Sequence, residues 1–220
     1  MKLYGALASP YVARVALAAR AKGLDIPIEM PAGGIKSPEY LAINPLGKMP
    51  TLEHDGRHVI ESHVILEYLE DVVPQPALLP MDAFEAARAR LLPRLVDLYV
   101  APEASVLFRN MNPASRDPAA VETAKGKLTA GFGHVEHFMG AGPYAVGQSL
   151  THADCALLPH FVMLKQTVFP GMGVTDPTTT LPRLKAWWTQ IEKDPVSGRF
   201  AAEYGAAFSD FIKRMMGGSR

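Results

Sequence analysis

Before Pro74 the apolar and polar positions change period repeatedly. Lys2 to Gly5 reads as a short strand, and Val12, Val15, Ala16 and Ala19 then recur at the i, i+3, i+4, i+7 spacing of one helix face. Gly23 stops that helix. Ile26 to Met30 predicts a second strand, and Ser37 to Leu41 a short helix with Pro38 just inside it. Met49 to His54 and Arg57 to Ile60 predict a hairpin turning at Asp55 and Gly56, and Ser62 to Asp71 a closing helix. The order βαβ, then a helix, then ββα, is that of a small mixed sheet covered by helices.

Beyond the proline-rich stretch Pro74 to Pro80, which reads as a linker, strand signals stop. Three helical stripes follow: Phe84, Ala87, Leu91, Leu95 and Leu98; then Val121, Lys125, Leu128, Phe132, Val135 and Met139; then Leu181, Leu184, Trp188 and Ile191. An all-helical second domain is expected. Pro93 and Pro102 lie inside the first stripe and remove backbone donors, so a kink or break is expected there. Gly217 to Arg220 reads as a frayed end.

At 220 residues and 48% apolar, the chain suits one large domain or two small ones with a sizeable core. Its 22 basic residues balance its 22 acidic ones, so no positive field exists to hold nucleic acid or anionic lipid. Arg14 and Arg20 interrupt the N-terminal apolar run, leaving no export or membrane signal in view. The single cysteine, Cys155, excludes an internal disulfide, a CxxC pair and a cysteine-based zinc cage, so a reducing cytoplasm is the default.

Three short segments carry the candidate chemistry. Ser9 precedes Pro10 and reads as a helix N-cap, yet a capping hydroxyl can accept from helix N–H groups and still donate its proton outward to an anionic sulfur. The positive end of the helix dipole favours a thiolate there. Met49-Pro50 opens a strand, where proline is tolerated in trans and where a cis bond would present backbone to an extended peptide. Ser62 opens a helix as an N-cap beside Glu61, and the pair suits an α-amino-acid head group: the helix end takes the carboxylate, Glu61 the ammonium. The slot so described fits a small, extended, zwitterionic peptide.

Other polar residues read as structural. His134 and His137 lie three apart on a helix without a third ligand, and His54, His58 and His63 surround the hairpin as surface residues. Thr151 and Asp154 form a T-x-x-D capping pattern, and Cys155 reads as a small buried apolar residue. No metal is expected.

KLYGALASPYVARV, KSPEYL, NPLGKMPTL, ESHVILEYL, the T-x-x-D cap and LPRLKAWW stand in one order along nearly the whole chain. In this series the sequence resembles a soluble glutathione transferase of the serine type, most similar to the phi class and its bacterial relatives. The resemblance implies a thioredoxin-like α/β domain over residues 1–76 that binds glutathione, and an all-α domain over residues 82–216 that forms the electrophile site. It implies that Ser9 donates to the glutathione sulfur, that Lys36 lies near the glycine carboxylate, and that Lys48 and Met49 precede a cis-proline, Pro50. Glu61 and Ser62 would make the γ-glutamyl contacts. Two positions depart from the phi pattern: Ile35 stands where histidine is frequent, and Lys48 where glutamine is usual.

The expected reaction is attack of a glutathione thiolate on a small apolar electrophile held between the domains, with Tyr11, Phe108 and Met111 expected on that pocket's wall. Detoxification by a cytoplasmic homodimer is the expected setting. Two alternatives stay open: a non-catalytic relative that binds a protein partner, and a glutathione-dependent isomerase or peroxidase. A cysteine-type redox enzyme is disfavoured, because the serine at position 9 cannot form a mixed disulfide.

Overall fold

A computed structural model describes residues 1–217 of the chain, which packs as two compact units. The first comprises Met1–Leu78 and the described residues from Ala202. Its sheet has the order β2-β1-β3-β4, with β1 (Lys2–Tyr4), β2 (Ile28–Glu29), β3 (Thr51–His54) and β4 (Arg57–Ile60). β2 runs parallel to β1, and the other pairings are antiparallel.

Two strands are shorter than their apolar patterns, because Pro27 and Pro50 stand just before them and have no N–H to donate. The hairpin turns at Asp55 and Gly56, both at positive φ (49° and 72°), as a two-residue turn that follows strand twist requires.

Three helices cover this sheet: α1 (Pro10–Ala21), α2 (Pro38–Ile43) and α3 (Ser62–Val72). α1 buries Val12, Val15, Leu17 and Ala18, and α3 buries Ile65, Leu66 and Leu69, each large side chain contributing about 1.5–3 kcal/mol. Ser37 caps α2 by accepting from the Tyr40 N–H at 3.2 Å.

A buried ion pair fastens the segment that follows α3. The Lys22 ammonium, with no exposed surface, sits 2.7 Å from Glu70 and donates to the carbonyls of Val73 (2.7 Å) and Pro76 (3.0 Å). Glu70 in turn accepts from the Leu78 N–H at 3.0 Å. Every partner of this desolvated charge is a hydrogen-bonding one, which is what makes its burial tolerable.

The second unit, Leu79–Ala201, is helical: α4 (Ala83–Leu95), α5 (Ala101–Arg109), α6 (Pro118–Phe138), α7 (His152–Gln166), the short α8 (Val168–Met172) and α9 (Pro177–Thr180), α10 (Pro182–Lys193), and the start of α11 (Ser197–Gly217). The disruption expected from Pro93 and Pro102 takes a specific form. Between α4 and α5, residues Val96–Val100 make a π-helical turn, so the chain widens without breaking. Gly131 of α6 faces this turn, and a β-carbon there would lie 2.5 Å from the Tyr99 carbonyl oxygen, so only glycine permits the approach.

Two stripes differ from expectation. α4 and the π turn bury Ala86, Ala89, Leu92, Leu95, Val96 and Val100, whereas Phe84 is 68% and Leu98 53% exposed. In α10 it is Trp187, not Trp188, that is fully buried beside Leu184 and Ile191. The reason lies in the T-x-x-D cap. The Asp154 carboxylate, entirely buried, accepts from Trp187 Nε1 (2.8 Å), from the N–H groups of Ala145 and Thr151 (both 2.8 Å) and from the Thr151 hydroxyl (2.7 Å). Burial pushes this carboxyl above the ordinary aspartate range, and the four donors act against that shift.

α11 begins on Asp194, which accepts from the N–H groups of Val196 (2.9 Å) and Ser197 (2.7 Å) and from the Tyr144 hydroxyl (2.7 Å). Although burial works to raise the Asp194 pKa, these bonds hold it below the ordinary range. From Ala202 onward the helix groups with the first unit, where Glu203 pairs with Arg20 of α1 and the buried Tyr204 hydroxyl reaches the Ala8 carbonyl at 3.5 Å. Of the expected frayed end, Gly217 closes α11 and the remaining three residues lie outside the described ones.

Candidate functional site

The strand register brings the sequence motifs together. Tyr4 pairs with Glu29 on one side and Thr51 on the other, and Thr51 pairs with Ile60, so one cross-strand row contains the last residues of β1, β2 and β4 and the first of β3. Four connections therefore emerge at the same end of the sheet. They are the loop to Ser9, the loop that carries Lys36, the Lys48–Pro50 approach to β3, and Glu61 with Ser62 after β4.

Each connection is held locally. Ser9 occupies the N-cap of α1 with extended backbone (φ −74°, ψ 127°), and its carbonyl accepts the first helical bond from the Ala13 N–H at 2.9 Å. Its hydroxyl makes no capping bond. The expectation that this hydroxyl engages the first-turn N–H groups is thus corrected, and its proton and lone pairs are not spent on the helix end.

The Met49-Pro50 bond is cis, as the family resemblance implies. The Tyr40 hydroxyl and the Asn44 amide donate to the Lys48 carbonyl at 2.7 and 2.9 Å, and both also meet the Thr51 hydroxyl at 2.8 Å. α2 thereby clamps the segment from Lys48 to Thr51 at both ends. Gly47 (φ 55°) closes the turn before it, and a β-carbon there would stand 2.7 Å from Lys36 Nζ, which locates the exposed Lys36 ammonium against this turn.

At the fourth connection the expected cap moves by one residue. Glu61, not Ser62, is the N-cap, with φ 68° and ψ 116°, and Ser62 is the first residue of α3. Strand β4 turns into the helix within one residue, which demands a positive φ that glutamate adopts at a cost of about 1–3 kcal/mol. The Glu61 side chain is exposed at the sheet end. Ser62 is buried, and its oxygen accepts from the Arg14 guanidinium at 3.1 Å.

Arg14 was no part of the expected site. The signal for it in the sequence is a lone arginine inside the apolar face of α1, where it is fully buried.

The three residues expected at the electrophile fall in different units. Tyr11 is half-buried on α1, with the Arg14 guanidinium 5.3 Å from its ring centre. Phe108, also half-buried, ends the apolar side of α5, and the Met111 side chain lies by Gly171. Among the described residues no group of three or more His, Cys, Asp or Glu side chains is arranged to hold a metal ion, and no helix is long and apolar enough to cross a membrane.

A mixed four-stranded thioredoxin-like sheet with a cis-proline at one strand entry, joined to an all-helical unit, defines the glutathione transferase fold. Residues 3–77 match the family model for the glutathione S-transferase N-terminal domain, and residues 118–188 that for its C-terminal domain. A glutathione S-transferase of Pseudomonas putida is 31% identical over 221 residues, covering 100% of both proteins. The maleylacetoacetate isomerase of Pseudomonas aeruginosa is 36% identical over 168 residues, 72% of this chain and 79% of that protein.

Among solved structures, a holo maleyl pyruvate isomerase, described as a bacterial glutathione S-transferase of the zeta class, matches with a TM-score of 0.75 at 27% identity, covering 94% of this chain and 98% of that one. The chain belongs to the glutathione S-transferase family and is an enzyme with glutathione as its co-substrate. Its similarity reaches a zeta-class protein, wider than the phi-like group suggested by the sequence motifs.

Proposed function

We propose that the chain is a serine-type transferase, allied to the phi class and its bacterial relatives, that ionises the glutathione thiol and conjugates it to a small apolar electrophile. The observation that carries this reading is the single cross-strand row from which Ser9, Lys36, Lys48 to Pro50, and Glu61 with Ser62 all emerge. In this reading the Ser9 hydroxyl donates to the sulfur, the Met49 backbone pairs with the extended peptide, and Lys36 lies near the glycine carboxylate. Glu61 takes the γ-glutamyl ammonium and Ser62 the carboxylate.

A free thiol has a pKa of about 8.5, and lowering it by about two units needs roughly 2.7 kcal/mol of selective thiolate stabilisation. One charge-assisted bond from Ser9 together with the N-terminal end of α1 is of that size. The sulfur–carbon bond then forms as the electrophile's leaving group departs. Retention on immobilised glutathione, followed by turnover against a panel of electrophiles, tests the assignment. Retention with conjugation of at least one aryl halide or epoxide is expected, and absence of both overturns it.

A second reading has its own support in the isomerase relatives. Here the thiolate adds to an activated cis double bond, the new single bond rotates, and elimination restores the thiolate and yields the trans product. Maleylacetoacetate or maleylpyruvate turned over without consumption of glutathione favours this reading over conjugation.

Variants at the γ-glutamyl end separate binding from chemistry. Glu61→Ala and Ser62→Ala are each expected to weaken glutathione by about 1.5–3 kcal/mol, seen first in KM, because contacts remote from sulfur are similar in ground and transition states. Glu61→Gly should show the same loss of affinity while melting above Glu61→Ala, since glycine accepts the positive φ without strain. Unchanged affinity by calorimetry in both alanine variants shows that the slot lies elsewhere.

A reducing cytoplasm and a symmetric homodimer complete the proposal. Light scattering at micromolar concentration is expected to give twice the 23.8 kDa chain mass. An active monomer overturns the dimer.

A further inference from the structure

We propose that Arg14 is a positioning residue for glutathione: it fixes the Ser62 hydroxyl as a hydrogen-bond donor toward the γ-glutamyl carboxylate. This rests on the reading of Glu61 and Ser62 given above. Arg14 Nη1 donates to Ser62 Oγ at 3.1 Å, and both side chains are buried. A guanidinium has five donors and no acceptor, so at this contact the serine oxygen can only accept. The one hydroxyl proton is thereby left for another acceptor.

A serine at a helix start can otherwise rotate its hydroxyl to accept from backbone N–H groups or to donate to water. With the Arg14 bond in place one lone pair is spent, and the proton is presented to whatever acceptor the first turn of α3 meets. A carboxylate is such an acceptor, and the exposed N–H groups of the same turn share its charge.

The contact joins residues 48 positions apart, on α1, which Ser9 precedes as N-cap, and on α3, which begins at Ser62. Arg14 lies in the second turn of α1, three residues after Tyr11, whose ring its guanidinium approaches at 5.3 Å. The ring and the hydroxyl hold the planar guanidinium from two directions. Lysine, with a single flexible ammonium, lacks that geometry.

The test is calorimetric titration of the full chain with glutathione and with an analogue lacking the γ-glutamyl α-carboxylate, 4-aminobutyryl-cysteinyl-glycine. The proteins are wild type, Ser62→Ala, Arg14→Met, Arg14→Lys and the Ser62→Ala/Arg14→Met double variant, each checked by thermal melt. Arg14→Met is expected to lose about tenfold or more in glutathione affinity and little for the analogue, with kcat at saturating glutathione falling much less than KM rises. Arg14→Lys is expected to fall between wild type and Arg14→Met. The double variant is expected to lose no more than the weaker-binding single variant, because both changes remove one interaction.

Equal losses for glutathione and the analogue, or losses that add in the double variant, overturn the role. So does failure of both Arg14 variants to give a native melt, since Arg14 is then a packing residue alone. If Ser62→Ala itself binds glutathione as wild type does, the γ-glutamyl reading of the slot fails, which is a different result from Arg14 failing while Ser62 holds.

Discussion

Replacing Ser9 with alanine is expected to lower turnover at neutral pH roughly ten- to more than a hundredfold while leaving the fold and the affinity for glutathione nearly intact. The hydroxyl donates weakly to a thiol and strongly to a thiolate, so its loss penalises the reactive form alone and raises the pKa of the bound thiol. A charge-assisted bond of about 1.5–3 kcal/mol sets the size of the effect. The deficit should shrink as pH rises, because the thiol then ionises without help.

The geometry at Ser9 sharpens this expectation. A serine that capped α1 through its side chain would cost about 1 kcal/mol of stability on removal. Here the hydroxyl makes no capping bond, so Ser9→Ala should melt close to wild type. Ultraviolet titration of the bound thiolate beside thermal melts decides the matter. A destabilised variant with an unshifted thiol pKa would refute the catalytic role.

Asp154→Ala is expected to be the most destabilising single change in the helical unit, on the order of 3–5 kcal/mol. The carboxylate is the common acceptor for Trp187 Nε1 and the N–H groups of Ala145 and Thr151, all at 2.8 Å, and alanine leaves these buried donors without it. Each unsatisfied donor carries a desolvation penalty of about 1–3 kcal/mol, partly relieved where water enters the vacated space. Chemical denaturation monitored by tryptophan fluorescence measures the loss, since Trp187 is itself a partner. A change below about 1 kcal/mol would mean that the cap contributes little beyond the helix start.

These two residues stand at opposite ends of what local pattern can tell. Asp154 was legible as half of a capping box, because Thr151 is its neighbour in sequence; that it also seats Trp187, 33 residues away, was not. The Leu184, Ile191 stripe admits either tryptophan, and only the position of the Asp154 carboxylate makes Trp187 the buried one. Ser9 was legible as a helix start from Pro10 alone, but that its hydroxyl makes no capping bond shows only in the folded chain.

The helical stripe of α4 shows the same limit more plainly. Phe84 and Leu98 belong to the expected stripe and are exposed, whereas the face turned inward is built on Ala86, Ala89, Leu92, Leu95 and Val96. α4 packs against α6 and α7, and that packing decides which of its sides is buried. The π turn at Val96–Val100 then shifts the phase of every position after Leu95.

What the sequence alone determined about this protein is whatever depends on neighbours within a turn or so: proline at helix starts, the Asp55-Gly56 hairpin, the Thr151 cap, and the order of motifs that marks the family. Tertiary structure alone decided which helix faces are buried, that Glu61 takes a positive φ, and that the buried cations Arg14 and Lys22 find partners 48 residues away on α3. The reason is range. Caps and turns are settled by backbone donors and acceptors close in sequence, whereas a buried charge or a helix face is settled by whichever distant element removes it from water.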